Sequence, residues 1–149
     1  MEQIYDKLNF REMVIEDYEK LIDLWVKVEL DYKPIGRDSR ESIEQQIGMN
    51  NCFFIVAEFA GEIIGSVIAS HDGRKGWINR VAVLPEFHRK GIATKLIEEA
   101  EKILETCGIK IFACLIEGWN ENSIKLFGKS KYKNFEGIKY FTKRKFAEV

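Results

Sequence analysis

The stretch from Val81 to Ile97, VAVLPEFHRKGIATKLI, predicts a strand, a short basic loop and a helix in immediate succession. Its first four residues are apolar and stop at Pro85, and an apolar helical stripe begins directly after Gly91. The loop between them carries three basic residues, the His-Arg-Lys of positions 88–90. Positive charge and free backbone N–H groups at a helix N-terminus attract phosphate, so this junction is the first candidate for a binding site.

Composition limits the classes of protein to which this chain can belong. With 149 residues, of which 46% are hydrophobic and 32% charged, we expect one globular domain spanning residues 1–149. The net charge of −1 provides no general attraction for nucleic acid or for a membrane surface. No apolar run approaches the roughly 20 residues that a bilayer span needs. The first ten residues, MEQIYDKLNF, lack the basic-then-apolar pattern of a signal peptide, so we expect a cytoplasmic protein.

The cysteines and histidines do not form a recognisable metal or disulfide pattern. Cys52, Cys107 and Cys114 are odd in number and show no CxxC spacing. The chain has only two histidines, which makes a histidine-based metal site or a cysteine nucleophile paired with histidine improbable. We therefore expect no metal.

Apolar periodicity predicts the elements of the N-terminal half. The expected order is a strand over Phe10–Ile15, an amphipathic helix led by Glu16 and Asp17, a second helix capped by Asp38 or Ser39 and running to Ile47, and strands over Cys52–Glu58, Glu62–Ser70 and Trp77–Leu84. The connections between these three strands are short, so the strands must form an antiparallel meander.

The C-terminal half is predicted to add a parallel strand to that meander. The expected order is a helix over Ile92–Thr106 ended by Gly108, a strand over Ile109–Ile116, a helix begun by Asn120 or Asn122, and a last strand over Glu136–Lys145. A helix between two strands places them parallel, so Ile109–Ile116 should pair with Trp77–Leu84. The fold class is thus α/β of the α+β type, with a mixed, mostly antiparallel sheet, one parallel strand pair and about four helices.

Two common phosphate-binding motifs are absent from the opening stretch. A dinucleotide-binding fingerprint needs GxGxxG, whereas Gly91 stands alone, and no GxxxxGK[ST] string occurs in the chain. What is left is a strand–loop–helix crossover whose backbone N–H groups cradle a pyrophosphate. Glycine at position 91 lets the backbone approach such a ligand closely. A solvated basic turn is the alternative interpretation of the same residues.

The pattern from Val81 to Ala93, hydrophobic–x–Val–x–Pro–Glu–aromatic–x–x–x–Gly–x–Ala, resembles the acyl-CoA signature of the GNAT N-acyltransferases. Two further segments resemble the same family, Glu62–Gly65 on its third strand and Asn120–Phe127 on its later helix. The order and spacing agree over roughly residues 9 to 146. Three motifs in the right order are more specific than one.

The resemblance implies an N-acetyltransferase that moves an acetyl group from acetyl-CoA to a primary amine by direct attack in a ternary complex. It also implies a possible homodimer. The strand backbone would bond the pantetheine arm, the loop would hold the pyrophosphate, and the later helix would flank the thioester. The residues implied for the cofactor are Val81, Ala82, Val83, His88, Arg89, Lys90, Gly91, Ile92, Ala93, Thr94, Asn120, Ser123 and Phe127.

Four positions depart from the family pattern. His88 replaces the usual Arg or Gln at the start of the loop, and Lys131 replaces a glycine after the last helix. Phe127 replaces the tyrosine thought to protonate the leaving thiolate, and Asn79 stands near a common glutamate. The alternative function is therefore an acyl-CoA-binding or regulatory module with weak or no catalysis. A nucleic-acid binder is disfavoured because the chain has no wider basic face.

The acid and base must then come from other residues. Glu117, His71 and Glu58 are candidates to accept the amine proton, and Asn79 is a candidate to hold a water or an oxyanion. Tyr132 and Tyr140 are possible proton donors, although aromatic side chains near strands usually belong to the core.

Substrate contacts are expected from the first two helices and the loop between them. Tyr32 and Arg37 lie in that loop and are the preferred candidates, whereas Trp25 lies on an apolar stripe and is expected in the core.

Overall fold

The sheet has five strands and ends in one parallel pair. The computed structural model describes residues 6–149. Its elements are β1 (Leu8–Glu12), α1 (Tyr18–Lys27), α2 (Arg40–Ile47), β2 (Cys52–Phe59), β3 (Glu62–His71), β4 (Gly76–Val83), α3 (Ile92–Thr106), β5 (Phe112–Ala113) and α4 (Glu121–Lys129), with single 3-10 turns at Ile15–Asp17 and Pro85–Phe87. The strands lie side by side in chain order. Neighbours are antiparallel except β4 and β5, so the predicted fold class is confirmed.

Local sequence explains where most elements begin and end. The β2–β3 hairpin turns at Ala60 and Gly61, which both have positive φ (52° and 81°) as a type I′ turn requires. Ser39, one of the two predicted caps, starts α2 by accepting a hydrogen bond from the Ser42 N–H. Gly108, at φ 81°, ends α3 in the left-handed conformation that glycine adopts without steric cost.

Helices cover both faces of the sheet. On β3, Gly65 faces Leu96 of α3, since a Cβ added to that glycine would lie 3.1 Å from the leucine side chain. The next residue, Ser66, accepts a hydrogen bond from the Trp25 indole of α1 at 3.0 Å. Successive residues of a strand point to opposite faces, so α3 and α1 pack on opposite sides. Leu96, Trp25 and their apolar neighbours on both helices are buried in a continuous core.

Two predicted strands are shorter than expected. The first strand was expected over residues 10–15 but ends at Glu12, because Asp17 accepts a hydrogen bond from the Val14 N–H and bends the chain into a 3-10 turn. The fifth was expected over residues 109–116, but only Phe112 and Ala113 pair with β4.

The predicted last strand over Glu136–Lys145 is wrong for this chain on its own. The structure describes that range without any strand, and every residue from 133 to 148 is exposed. The chain end instead approaches the α1–α2 loop, where a Cβ added to Gly36 would lie 2.7 Å from the Glu148 carbonyl oxygen. The segment therefore finds no neighbouring strand to accept its backbone hydrogen bonds.

No helix within residues 6–149 is long and apolar enough to cross a bilayer. The same residues contain no cluster of three or more His, Cys, Asp or Glu side chains that could hold a metal ion.

Candidate functional site: a strand divergence beside a helix N-terminus

The two parallel strands separate almost as soon as they pair. Gly76 pairs with Phe112 and Trp77 with Ala113, and β4 then continues to Val83 without a partner on that side among the described strands. Gly76 lets the pair form beside α3, since a Cβ there would lie 2.7 Å from the Leu104 side chain. The result is an open strand edge along the second half of β4. An extended ligand can add to such an edge as another strand would.

The loop after β4 leads directly into the N-terminus of α3. Arg89 and Gly91 both have left-handed φ values, 61° and 76°, and Gly91 is the N-cap residue with no side-chain cap. The first bond of the helix runs from the Lys95 N–H to the Gly91 carbonyl at 3.0 Å. The N–H groups of residues 92–94 therefore precede the intrahelical ladder and have no acceptor within it. With Arg89 beside them and no acid in the first turn, these donors have the arrangement that favours an anion at a helix N-terminus.

His88 links this loop to the open strand. Its Nε2 lies 2.8 Å from the Val83 carbonyl oxygen, so Nε2 carries the proton and donates. The histidine that replaces the usual Arg or Gln thus contacts the strand backbone on which the predicted pantetheine site depends. A carbonyl oxygen has two lone pairs, so one acceptor site of Val83 is left for a ligand.

The face of α4 is built from packed and capped side chains. Asn120 caps the helix by accepting a hydrogen bond from the Ser123 N–H at 3.2 Å. Phe127 is buried and packs edge-on against Tyr132, with ring centroids 5.0 Å apart. The Tyr132 hydroxyl donates to the Glu101 carboxylate at 2.7 Å. Burial, followed by this carboxylate, raises the pKa of Tyr132 far above its ordinary value, so Tyr132 is a poor acid at neutral pH.

The predicted base candidates lie in different places. Glu117 is exposed in the loop between β5 and α4, and Asn79 is half-buried on β4, two residues beyond the last parallel pair. These two therefore border the divergence from its two sides. Glu58 is ion-paired with Arg11 at 2.9 Å. The His71 Nδ1 accepts the Gly73 N–H at 3.0 Å, and His71 lies at the β3–β4 turn, the far end of β4 from Val83.

Tyr140 is the remaining predicted proton donor, and Cys114 is a cysteine for which no catalytic role was predicted. Cys114 directly follows β5, and burial raises its thiol pKa to about 11, so it stays protonated. Tyr140 is 70% exposed, which removes the expectation that it packs in the core.

Sequence reasoning missed Arg80, which anchors the α1–α2 loop to the sheet. Arg80 lies at a bulge in β4 with a left-handed φ of 54°, an unusual backbone for a non-glycine residue. Its guanidinium pairs with Asp38 at 2.9 Å, donates to the Asp31 carbonyl at 2.8 Å and lies 5.0 Å from the Trp25 ring. Burial lowers the pKa of Arg80, while Asp38 opposes that effect. A lone arginine inside an apolar strand was the available signal.

The anchored loop carries both predicted substrate residues. Tyr32 packs against Trp25 with ring centroids 6.4 Å apart, and Arg37 is exposed and donates to the Val149 oxygen at 3.1 Å. A cavity of about 250 Å³ opens between this loop and the chain end, lined by Tyr32, Lys33, Pro34, Ile35, Ala147 and Glu148. Arg37 is close to it in sequence but does not line it. Trp25 is fully buried, as predicted.

Comparison with known proteins gives matches over most of the chain. A family described as the acetyltransferase (GNAT) family matches residues 11–132. An acetyltransferase of Sodalis glossinidius is 31% identical over 129 residues, which cover 87% of this chain and 89% of that protein. One from Pectobacterium atrosepticum is 32% identical over 123 residues, which cover 83% and 86%.

Solved structures share the fold at lower identity. The aminoglycoside 6′-N-acetyltransferase AAC(6′)-Iy, in complex with a bisubstrate analogue, superposes with a TM-score of 0.77 at 20% identity, covering 92% of this chain and 98% of its own. An aminoglycoside acetyltransferase from a soil metagenome, in complex with sisomicin, gives 0.78 at 19% identity and covers 95% and 98%. PaiA N-acetyltransferase from Thermoplasma acidophilum, in complex with coenzyme A, gives 0.75 at 23% identity and covers 87% and 93%.

Proposed function

This chain belongs to the acetyltransferase (GNAT) family, and on that premise we propose that it transfers an acetyl group from acetyl-CoA directly to a primary amine while both are bound. The observation that carries the proposal is the open edge of β4 beside the uncapped N-terminus of α3. That arrangement provides a strand-like groove at one end and an anion site at the other. Acetyl-CoA has the matching shape, an extended amide-bearing arm joined to a pyrophosphate.

The loop residues bind the phosphates in this proposal. The N–H groups of Ile92, Ala93 and Thr94 donate to phosphate oxygens, and the Thr94 hydroxyl adds a further donor. Arg89 and Lys90 neutralise phosphate charge. Gly91 keeps the approach free of a side chain, as its left-handed φ also requires.

The strand residues bind the arm. The Leu84 N–H bonds the Ile64 carbonyl of β3, so the backbone groups of Val83, and of Val81 two residues earlier, face the open edge, while the Ala82 side chain is buried in the core. The hydrogen bond from His88 Nε2 to the Val83 carbonyl oxygen holds the loop against the end of the strand. Asn120 and Ser123 at the N-terminus of α4, together with Phe127 on the same helix, flank the thioester end.

In this proposal, positioning the amine against the thioester contributes more to catalysis than a proton donor does. Acetyl-CoA supplies an activated thioester carbonyl. The leaving thiolate is the base of a thiol with a pKa of about 8.5, so it leaves without strong acid assistance. Phe127 has no proton to give, and the Tyr132 proton is held by Glu101. Holding two reactants in place can contribute about 7–11 kcal/mol of the barrier. Glu117 accepts the amine proton through water, and Asn79 holds that water or the oxyanion.

The acceptor enters from the side of the α1–α2 loop. Tyr32 lines the cavity there, and Arg37 is beside it, so both are proposed to contact the acceptor. Two of the matched structures are aminoglycoside acetyltransferases, so aminoglycosides belong in any panel of amines to be tested. Polyamines and lysine peptides complete that panel.

Thiol release from acetyl-CoA with the amine panel tests the reaction, and calorimetry tests binding of CoA. The variant Thr94→Asp places a carboxylate in the first turn of α3. There it interacts favourably with the helix dipole, so the fold is kept, but it repels phosphate. We expect CoA to bind about ten- to hundredfold more weakly, a loss of about 1.4–2.8 kcal/mol. Thr106→Asp, at the exposed far end of the same helix, is the matched control and should bind CoA as the wild type does.

Three outcomes separate the interpretations. Turnover with an amine, abolished or weakened in Thr94→Asp, supports the proposal. Tight CoA binding without turnover over the whole panel favours a binding or regulatory module instead. Equal CoA affinity in Thr94→Asp and wild type contradicts the phosphate site itself.

A further inference from the structure

The guanidinium of Arg80 holds both ends of the segment that carries the two proposed acceptor residues. Its Nη1 donates to the Asp31 carbonyl at 2.8 Å, and its Nη2 donates to the Asp38 carboxylate at 2.9 Å. Asp31 and Asp38 bracket residues 32–37, the segment that contains both proposed contacts. A guanidinium presents its donors in a rigid planar fork, so one side chain fixes the two ends of the segment relative to each other.

Asp38 closes the same segment on itself. Its carboxylate accepts a hydrogen bond from the Lys33 N–H at 2.7 Å, and its own N–H donates to the Lys33 carbonyl at 3.1 Å. The Gly36 N–H donates to that carbonyl at 3.0 Å. The carbonyl of Asp38 accepts the Tyr18 hydroxyl of α1 at 2.8 Å. The loop is thus closed at Asp38, and Arg80 joins this point to the sheet.

The bulge in β4 brings Asn79 and Arg80 to the same face of the sheet. Ser66 and Ile68 lie two residues apart on β3, so they share the face on which α1 packs, and Asn79 is paired with Ile68. Paired residues of neighbouring strands point to the same side, so Asn79 faces α1 as well. The Arg80 guanidinium lies 5.0 Å from the Trp25 ring of α1. Consecutive residues of a regular strand would point to opposite faces, whereas here both reach the side from which the acceptor is proposed to enter.

The backbone of Arg80 is also fixed, beside the proposed cofactor strand. Its carbonyl accepts a hydrogen bond from the buried Ser66 hydroxyl at 3.4 Å, and Ser66 in turn accepts the Trp25 indole N–H. Asn79 precedes Arg80, and Val81, which is proposed to bond the pantetheine arm, follows it. One residue therefore connects the acceptor loop with the strand on which acetyl-CoA is proposed to lie.

Stability alone does not require this arrangement. Apolar residues of similar volume are often as stabilising as a buried ion pair, because both charges of the pair lose their hydration. The left-handed φ of Arg80 adds backbone strain, and strained residues cluster where the position of a group matters. What the pair with Asp38 provides is a fixed geometry between the loop and the strand.

We propose that Arg80 is a positioning residue for the acceptor. It holds residues 32–37 over the face of β4 that carries Asn79, and it thereby sets where the bound amine lies relative to the thioester. It acts through Tyr32 and Arg37, so this role rests on the proposed function. An acceptor that binds only while the loop is in place binds more weakly in proportion to the fraction of time for which the loop is displaced.

Hydrogen exchange of the loop tests this role without any need for turnover. The amides followed are those of Lys33, Gly36 and Asp38. In Arg80→Met we expect them to exchange at least about tenfold faster, while the amides of β2 and β3 stay protected and so exclude global unfolding as the cause. Arg40→Met is the matched control, because Arg40 begins α2 beside the loop but its ion pair is exposed, and its loop amides should exchange as in the wild type. Equal exchange of the loop amides in Arg80→Met and the wild type overturns the proposal.

Steady-state kinetics with spermidine, sisomicin and a lysine peptide separates positioning from folding. In Arg80→Met, assayed well below its Tm, we expect the KM for the amine to rise about ten- to hundredfold, while the CoA affinity measured by calorimetry stays within about twofold of the wild type. A purely structural role would lower the active fraction, and hence kcat, without changing KM. Arg80→Lys keeps the charge but not the fork, so we expect a raised KM with a smaller loss of stability.

The outcomes distinguish this proposal from the proposed function. An unchanged KM in both Arg80 variants overturns the positioning role, as does a CoA affinity that falls together with the affinity for the amine. A wild type without turnover on any of the three amines contradicts the proposed function instead. The exchange of the loop amides then decides alone whether Arg80 holds the loop.

Discussion

Replacing Arg80 by Met removes the guanidinium that holds the α1–α2 loop on β4 while keeping a long apolar side chain. The two ends of the ion pair are 2.9 Å apart, and the side chains of Arg80 and Asp38 are 13% and 5% exposed. At an effective dielectric constant of about 20, such a pair is worth about 4 kcal/mol before desolvation is subtracted. In the variant the buried Asp38 carboxylate keeps the Lys33 N–H as its partner at 2.7 Å.

The expected loss is about 3 kcal/mol of the free energy of unfolding, because removing one member leaves the other charge buried and unpaired. For a chain of this size that is a fall of about 6–12 °C in Tm. Urea unfolding measures the loss, and the double variant Arg80→Met with Asp38→Asn should recover part of it, since a neutral amide tolerates burial better.

Arg40→Met is the matched control for this prediction. Arg40 pairs with Glu19 at the same 2.9 Å and also lies over an aromatic ring, that of Tyr18, but the side chains of this pair are 48% and 72% exposed. An exposed pair contributes about 0–1 kcal/mol, so Arg40→Met should change stability little. Equal losses in the two arginine variants, or no coupling between Arg80 and Asp38 in the double variant, would refute the reasoning.

Two further predictions concern stability. Lys131 has a left-handed φ of 69°, where the family usually has glycine, so Lys131→Gly should stabilise the fold by about 0.5–1 kcal/mol in urea unfolding. Lys133→Gly, at an exposed neighbour without that strain, should not stabilise it. Arg11, 2.7 Å from Asp17, holds the pKa of Asp17 below its ordinary 3.8. A lowered folded-state pKa stabilises above 3.8 and that stability is lost as the pH falls through the folded value. The wild type should therefore lose stability more steeply than Asp17→Asn below about pH 4, and parallel pH profiles would contradict this.

Local signals were sufficient to predict most of the fold. Ser39, Gly108 and the Ala60–Gly61 turn mark helix and hairpin ends through their own backbone chemistry, so their positions could be inferred from a few neighbouring residues. The helix over Ile92–Thr106 was predicted to the residue, because its apolar stripe and the glycines at both ends agree.

Features that depend on distant residues were harder to predict. The segment Glu136–Lys145 has the apolar alternation of a strand. A strand forms only where a neighbouring strand can pair with it, and alternation within one segment does not show whether such a neighbour exists. Arg80 was missed for a related reason. A bulge in β4 turns the Arg80 side chain toward Asp38, 42 residues earlier in the chain. A pattern of neighbouring residues does not predict a contact between residues so far apart in sequence.

The short pairing of β4 with β5 has a consequence for how stability is distributed over the sheet. Strands β2, β3 and β4 are joined by hairpins, and β1 pairs with β2 at five positions, whereas β5 is held to β4 by two residue pairs across an intervening helix. Contacts between distant residues form late in folding, and regions with few backbone hydrogen bonds open first in the native state. The side of the sheet on which the proposed cofactor site depends is thus the part that opens most readily. A ligand that binds across the gap would close it and supply the hydrogen bonds that β5 does not.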